Sequence, residues 1–206
     1  MGDLVDDFNQ QFNNAAYEGI FRTVLEFDEK HPNTLWCYGN HDISYIWGKL
    51  ETGYSPYQER TVINGMRILK EAFGDRLNFA HVIGNCLFSH GGVTWDFLDY
   101  LRSRGFKIRG IKSVEDVKEI INQCSVIELW RDESSLWARP TEHSGYRIFN
   151  EYDILQVTGH TPVKKAYRNE SILFCDTFST YADGTPYGDR SFQIVSPDGQ
   201  GFLSIK

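Results

Sequence analysis

The chain has 206 residues, 41% of them hydrophobic, and a formal net charge of −7. That is enough apolar material for one well-buried core, so a single domain spanning 1–206 is expected. The acidic balance, with a pI near 5.4, excludes a general nucleic-acid binder, which needs a basic face to neutralise phosphates.

Taken in order, Gly2-Asp3-Leu4-Val5-Asp6 reads as the end of a strand whose body is absent, leaving Asp3 two residues from a loose terminus. Apolar residues then recur at helical spacing from Asn14 to Glu29 (Ile20, Val24 and Phe27, with Ala16 and Phe21 beside them), and His31-Pro32-Asn33 stops that helix. Thr34 to Tyr38 predicts a buried strand running into Gly39-Asn40-His41-Asp42. Residues 43–55, with Tyr45, Trp47 and Tyr54, read as an aromatic loop. A second helix is expected from Pro56 to Phe73, burying Val62, Met66, Leu69 and Phe73. Leu77 to Ile83 and Cys86 to Ser89 read as strands joined by the tight turn Gly84-Asn85, the second ending at His90-Gly91-Gly92.

Thr94 and Ser113 are predicted N-caps of helices reaching Leu101 and about Gln123. Between them Arg102, Arg104, Lys107, Arg109 and Lys112 occur without an acid, a solvated connector or a surface for an anionic partner. Trp130 to Pro140 is polar. Leu155 to Thr158 predicts a strand entering Gly159-His160, and Ile172 to Cys175 and Ser191 to Val195 predict further strands. Cys37, Cys86, Cys124 and Cys175 lack any Cys-x-x-Cys spacing and read as reduced thiols. No basic segment leads into an apolar one, and no apolar run approaches roughly 18 residues. The expectation is a cytoplasmic protein with no membrane partner.

Each of four fragments ends or borders an apolar run with Asp, Asn or His beside Gly, the residue types that ligate a metal through oxygen and imidazole nitrogen. In order they are Gly2-Asp3-x-x-Asp6, Gly39-Asn40-His41-Asp42, His90-Gly91-Gly92 and Gly159-His160. This set resembles the calcineurin-like metallophosphoesterases, in the branch of the serine/threonine phosphoprotein phosphatases and bacterial diadenosine-tetraphosphatase-like enzymes, over positions 2–162. The resemblance implies a four-layer α/β/β/α sandwich. It implies hydrolysis of a phosphorylated substrate, phosphoprotein or nucleotide, by water activated on two divalent metals (Mn, Fe or Zn). Asp3 is then the bridging ligand, and Asn40, His90 and His160 complete one metal's shell. His41 is no ligand but protonates the leaving oxygen, with Asp6 orienting its ring, while Asp176 supports the site from outside.

Two departures accompany the likeness. Asp7 stands where the phosphoprotein phosphatases carry a phosphate-clamping Arg, so Arg139, in Trp137-Ala138-Arg139, is the candidate for that role alone. No Asp-x-His motif precedes Asp3, so a full ligand set for only one metal is present, and by resemblance a first strand-helix-strand unit is missing. The expectation is an N-terminally incomplete phosphoesterase of low two-metal activity. The alternative is a non-catalytic remnant or binding protein that keeps the fold and a partial metal site.

Overall fold

Asn13 opens the first helix, α1 (Asn14–Lys30), by accepting the Ala16 N–H on its side chain. In the computed structural model, which describes residues 1–206, this helix buries Tyr17, Phe21, Val24 and Asp28. The stripe expected from Ile20, Val24 and Phe27 is thus rotated, and Phe27 is exposed. The reason lies across the interface, on α3 (Glu59–Phe73). A Cβ on Gly65 would lie 2.4 Å from the Phe21 ring, so the missing side chain is the slot that selects the Phe21 face of α1. The buried face of α3 carries Val62, Met66, Leu69 and Phe73 as its periodicity predicts.

The strand after α1 is shorter than expected, β1 (Trp36–Cys37). Residues 40–47 form a helix, α2 (Asn40–Trp47), which takes up the first part of the aromatic loop expected over 43–55. Two side chains explain the difference: the Asp42 carboxylate accepts the Gly39 N–H at 2.9 Å, and Gly48 closes the helix in the left-handed conformation. The segment 77–83 is two strands rather than one. β2 (Leu77–Asn78) pairs in parallel with β1, and after Phe79 the chain enters β3 (Ala80–Ile83) of another sheet. β3 turns through Gly84-Asn85 into antiparallel β4 (Cys86–Ser89), as predicted.

Thr94 and Ser113 cap α4 (Trp95–Ser103) and α5 (Val114–Gln123) through their hydroxyls. A short α6 (Val126–Leu129) follows. β5 (Leu155–Pro162) runs parallel to β4 and to β7 (Ile172–Asp176), and β6 (Tyr167–Asn169) closes the edge, giving a mixed sheet of order β3-β4-β5-β7-β6. β8 (Phe192–Val195) and β9 (Phe202–Ile205) form a separate hairpin. The result is a mixed α/β fold with a central mixed sheet, as the resemblance implies. One face of that sheet packs Leu87 into the main core with α4 and α5; the other carries Cys86, Leu155, Val157 and Leu173. No helix is long and apolar enough to cross a membrane.

A polar network fixes the strand that leads to Gly39. Arg76 binds Asp28 through two hydrogen bonds, at 2.5 and 2.7 Å, and also donates to the Thr34 carbonyl, while the Trp36 indole donates to Asp28. The Arg76 hydrogen bonds hold the Asp28 carboxyl below its usual range against the opposing effect of burial. A depressed carboxylate contributes stability above its unfolded value, about 3.9, and loses it as pH falls through the folded one. Asp28→Asn should therefore cost about 1–3 kcal/mol at neutral pH, with the two proteins converging in acid. Denaturant titrations at pH 7 and in acid check this, and equal stability at pH 7 would contradict it.

Candidate metal centre and active site

The first two fragments meet backbone to backbone. A Cβ on Gly2 would lie 2.2 Å from the Gly39 nitrogen, and one on Gly39 would lie 2.1 Å from Asp3 Oδ1. Only two glycines permit that crossing. The Asp42 carboxylate then accepts the N–H groups of Asp3 (2.9 Å) and Leu4 (2.7 Å) as well as that of Gly39. Burial and the Asp3 charge raise the Asp42 carboxyl, against the pull of the Gly39 and Leu4 N–H groups. Asp3 is therefore held firmly, where a loose terminus was expected. The last letter of Gly39-Asn40-His41-Asp42 carries a positioning role that the sequence reading did not assign.

His90 leaves β4 on a turn whose Gly91 and Gly92 N–H groups donate to the Ser135 and Ala138 carbonyls. Gln156 on β5 secures the same turn by accepting the Val93 N–H at 2.6 Å. His160 lies where the β5–β7 register shifts, and its φ of 54° is left-handed. Asp3 (56°) and Asp6 (70°) share that conformation, which is costly for residues with a side chain.

Asp3, Asn40, His90 and His160 are brought together. His90 Nε2 lies 2.8 Å from Asn40 Oδ1, 3.0 Å from His160 Nδ1 and 3.1 Å from Asp3 Oδ2. His90 Nδ1 lies 2.6 Å from the Met1 carbonyl, which can only accept, so the proton of the neutral ring sits on Nδ1. Nε2 then presents a lone pair to three other lone-pair donors. One carboxylate, one amide oxygen and two imidazoles suit a divalent cation of the Mn, Fe or Zn type. Ligands about 2.0–2.2 Å from a shared ion are themselves on the order of 3 Å apart, and the donor atoms of Asp3, His90 and His160 all lie within 4.8 Å of one another. Burial, with the Arg139 charge adding to it, pushes His160 down to about 2, keeping the ring neutral and its lone pair free. For Asp3, the upward effect of burial is outweighed by the neighbouring imidazoles, the charged His41 among them, and its carboxyl stays well below the usual range. These residues fit a metal ion.

His41 stands beside this group, and its backbone N–H donates to Asp3 Oδ1 at 3.1 Å. Its Nδ1 meets Asp6 Oδ2 at 3.1 Å, and its Nε2 lies 3.6 Å from Glu51. Burial lowers the imidazole, but the Asp6 hydrogen bond and the Asp3, Asp6 and Glu51 charges more than offset it, to about 9. Asp6 is fully covered, and its other oxygen accepts the hydroxyls of Tyr17 (2.9 Å) and Tyr45. Tyr45 in turn receives the Ser55 N–H and stacks on Tyr54 at 4.2 Å. The two tyrosine hydroxyls and Glu51 escaped the sequence reading because nothing local to them marks their partners, 11 and 39 residues away for Tyr17 and Tyr45 and in another segment for Glu51.

Arg139 and Asp176 line the cavity that opens on this group, of about 1370 Å³. Asp176 binds Ser179 through its backbone N–H and hydroxyl. Asn40 follows β1 of the two-stranded sheet, whereas His90 and His160 come from the mixed sheet. The centre therefore lies between two sheets.

Residues 1–180 match the calcineurin-like phosphoesterase family. The chain belongs to that family. Membership implies divalent metal ions, for which Asp3, His90 and His160 form a possible ligand group. Among solved structures, the cold-active protein tyrosine phosphatase of a psychrophile, Shewanella sp., is similar at 14% identity with a TM-score of 0.46, covering 84% of this chain and 58% of that one. A point mutant of a cold-active protein tyrosine phosphatase gives the same values. The chain thus spans 58% of the length of those structures. No curated protein matches it.

Proposed function

We propose that this chain is a metal-dependent phosphoesterase in which Asp3, Asn40, His90 and His160 hold a divalent cation, His41 and Asp6 form the acid pair, and Arg139 receives a phosphoryl oxygen. The observation that carries the reading is the crowding of three lone-pair donors within 2.8–3.1 Å of His90 Nε2 while its partner nitrogen faces a carbonyl. A cation bound there supplies an acidic water and neutralises phosphoryl charge.

The chain's own residues do the rest. Asp6, gripped by two tyrosines, fixes the His41 ring and favours its charged form, so Nε2 can give a proton to the departing ester oxygen as the P–O bond breaks. Arg139 supplies the guanidinium that Asp7 does not. Manganese is the proposed metal, and four unpaired cysteines support a cytoplasmic setting. A single folded domain over 1–206 belongs to the same proposal.

The experiment is hydrolysis of 4-nitrophenyl phosphate with and without added manganese, alongside metal content. Metal-stimulated turnover supports the enzyme. Bound metal without turnover supports the alternative, a binding protein that retains the centre. Gly39→Ala supplies a local check. Its Cβ would displace the Asp3 carboxylate, so cation affinity in a folded variant should fall at least ~10-fold by calorimetry, a ligand-shell effect. Unchanged affinity would remove Asp3 from the ligand set.

A further inference from the structure

The cavity beside the proposed centre has an uneven charge. Setting aside Asp3 and Asp6, which face His90 and His41, its lining carries Asp7, Glu51, Asp132 and Asp176 against the single guanidinium of Arg139. The four carboxylates come from the N-terminal segment, the loop after α2, the loop after α6 and the end of β7, so they surround the opening rather than form one patch.

Donors for a phosphoryl group are few. The Tyr146, Ser179, Thr180 and Ser191 hydroxyls already bond to the protein and the His41 ring faces Asp6 and Glu51, which leaves Arg139 and the Trp137 indole; Trp137 lines the same cavity, stands edge-on to His160 at 5.8 Å, and has a buried Nε1–H with no hydrogen-bond partner. A buried donor without a partner is satisfied by a ligand oxygen that reaches it. One guanidinium and one indole serve one phosphoryl group. A chain of several phosphates would have to place its remaining charges among carboxylates, where like charges repel.

Exposed aromatic faces, Phe8, Phe178 and Phe192, also line the opening. Such faces attract lysine and arginine side chains. The volume of about 1370 Å³ exceeds the roughly 300–1,000 Å³ of a small-molecule pocket, which favours an extended ligand. We infer that the substrate is a peptide carrying one phosphomonoester flanked by lysine or arginine, selected by Asp7, Glu51, Asp132 and Asp176. The inference rests on the phosphoesterase reading and names its substrate class.

The test is fluorescence anisotropy in manganese buffer with two peptides bearing a non-hydrolysable phosphonate in place of phosphoserine. One has Arg and Lys flanks and the other Asp and Glu flanks, with diadenosine tetraphosphate as competitor. The basic peptide should bind at least ~10-fold more tightly at low salt, and the gap should narrow as ionic strength rises. Asp7→Asn with Asp132→Asn should bring the ratio toward one. Equal binding, preference for the acidic peptide, stronger binding of the dinucleotide, or no binding of either peptide overturns the inference. A basic preference without metal-stimulated hydrolysis of 4-nitrophenyl phosphate would sink the phosphoesterase reading instead, and hydrolysis without the preference would sink only this one.

Discussion

His90→Ala should lower affinity for manganese by at least ~100-fold, beyond the 10–100-fold typical of losing a residue that merely orients a ligand. His90 is the hub: Asn40, His160 and Asp3 all approach its Nε2. A rival account is a buried ion pair, with a protonated His90 donating to Asp3 and no metal function. The two accounts separate on His90→Gln, whose amide can still donate to Asp3 but offers no imidazole nitrogen. Under the metal account the glutamine variant folds but binds manganese more weakly than the wild type, its amide oxygen being a poorer ligand than an imidazole nitrogen. Under the ion-pair account it restores stability and cation binding never depended on position 90. Calorimetric titration with manganese, beside thermal unfolding of each variant, reads both.

His41→Asn should reduce turnover by about 10² to 10⁴-fold with metal content unchanged, the range expected when a positioned acid is lost. His41 reaches the centre only through its backbone N–H to Asp3, whereas its ring is held between Asp6 and Glu51. Loss of metal in this variant would make His41 a ligand and end the acid assignment. Tyr45→Phe removes one of the hydroxyls that grip Asp6. It should lower turnover less than His41→Asn does, since the Tyr17 hydroxyl remains.

What the sequence made legible was the chemistry carried in short contiguous motifs. Asp3, Asn40, His90 and His160 each sit beside glycine at the end of an apolar run, and the hairpin at Gly84-Asn85 and the caps at Thr94 and Ser113 follow from local turn and capping preferences. Facts that depend on distant contacts were not legible. The buried face of α1 is selected by the gap at Gly65 on another helix, and the split of 77–83 between two sheets depends on β1 as partner for β2. The firm hold on Asp3 comes from a carboxylate 39 residues away. β6 and β9 were missed because three or four residues with mixed polarity carry no periodic signal.

The central claim is that Asp3, Asn40, His90 and His160 form one cation site. Its most direct measurement is metal per chain after equilibrium dialysis against manganese, for the wild type and for a variant combining Asn40→Ala with His160→Ala. The account predicts about one tightly held ion per chain in the wild type and none in a folded double variant. No bound ion in the folded wild type, or the same stoichiometry and affinity in both proteins, would contradict it.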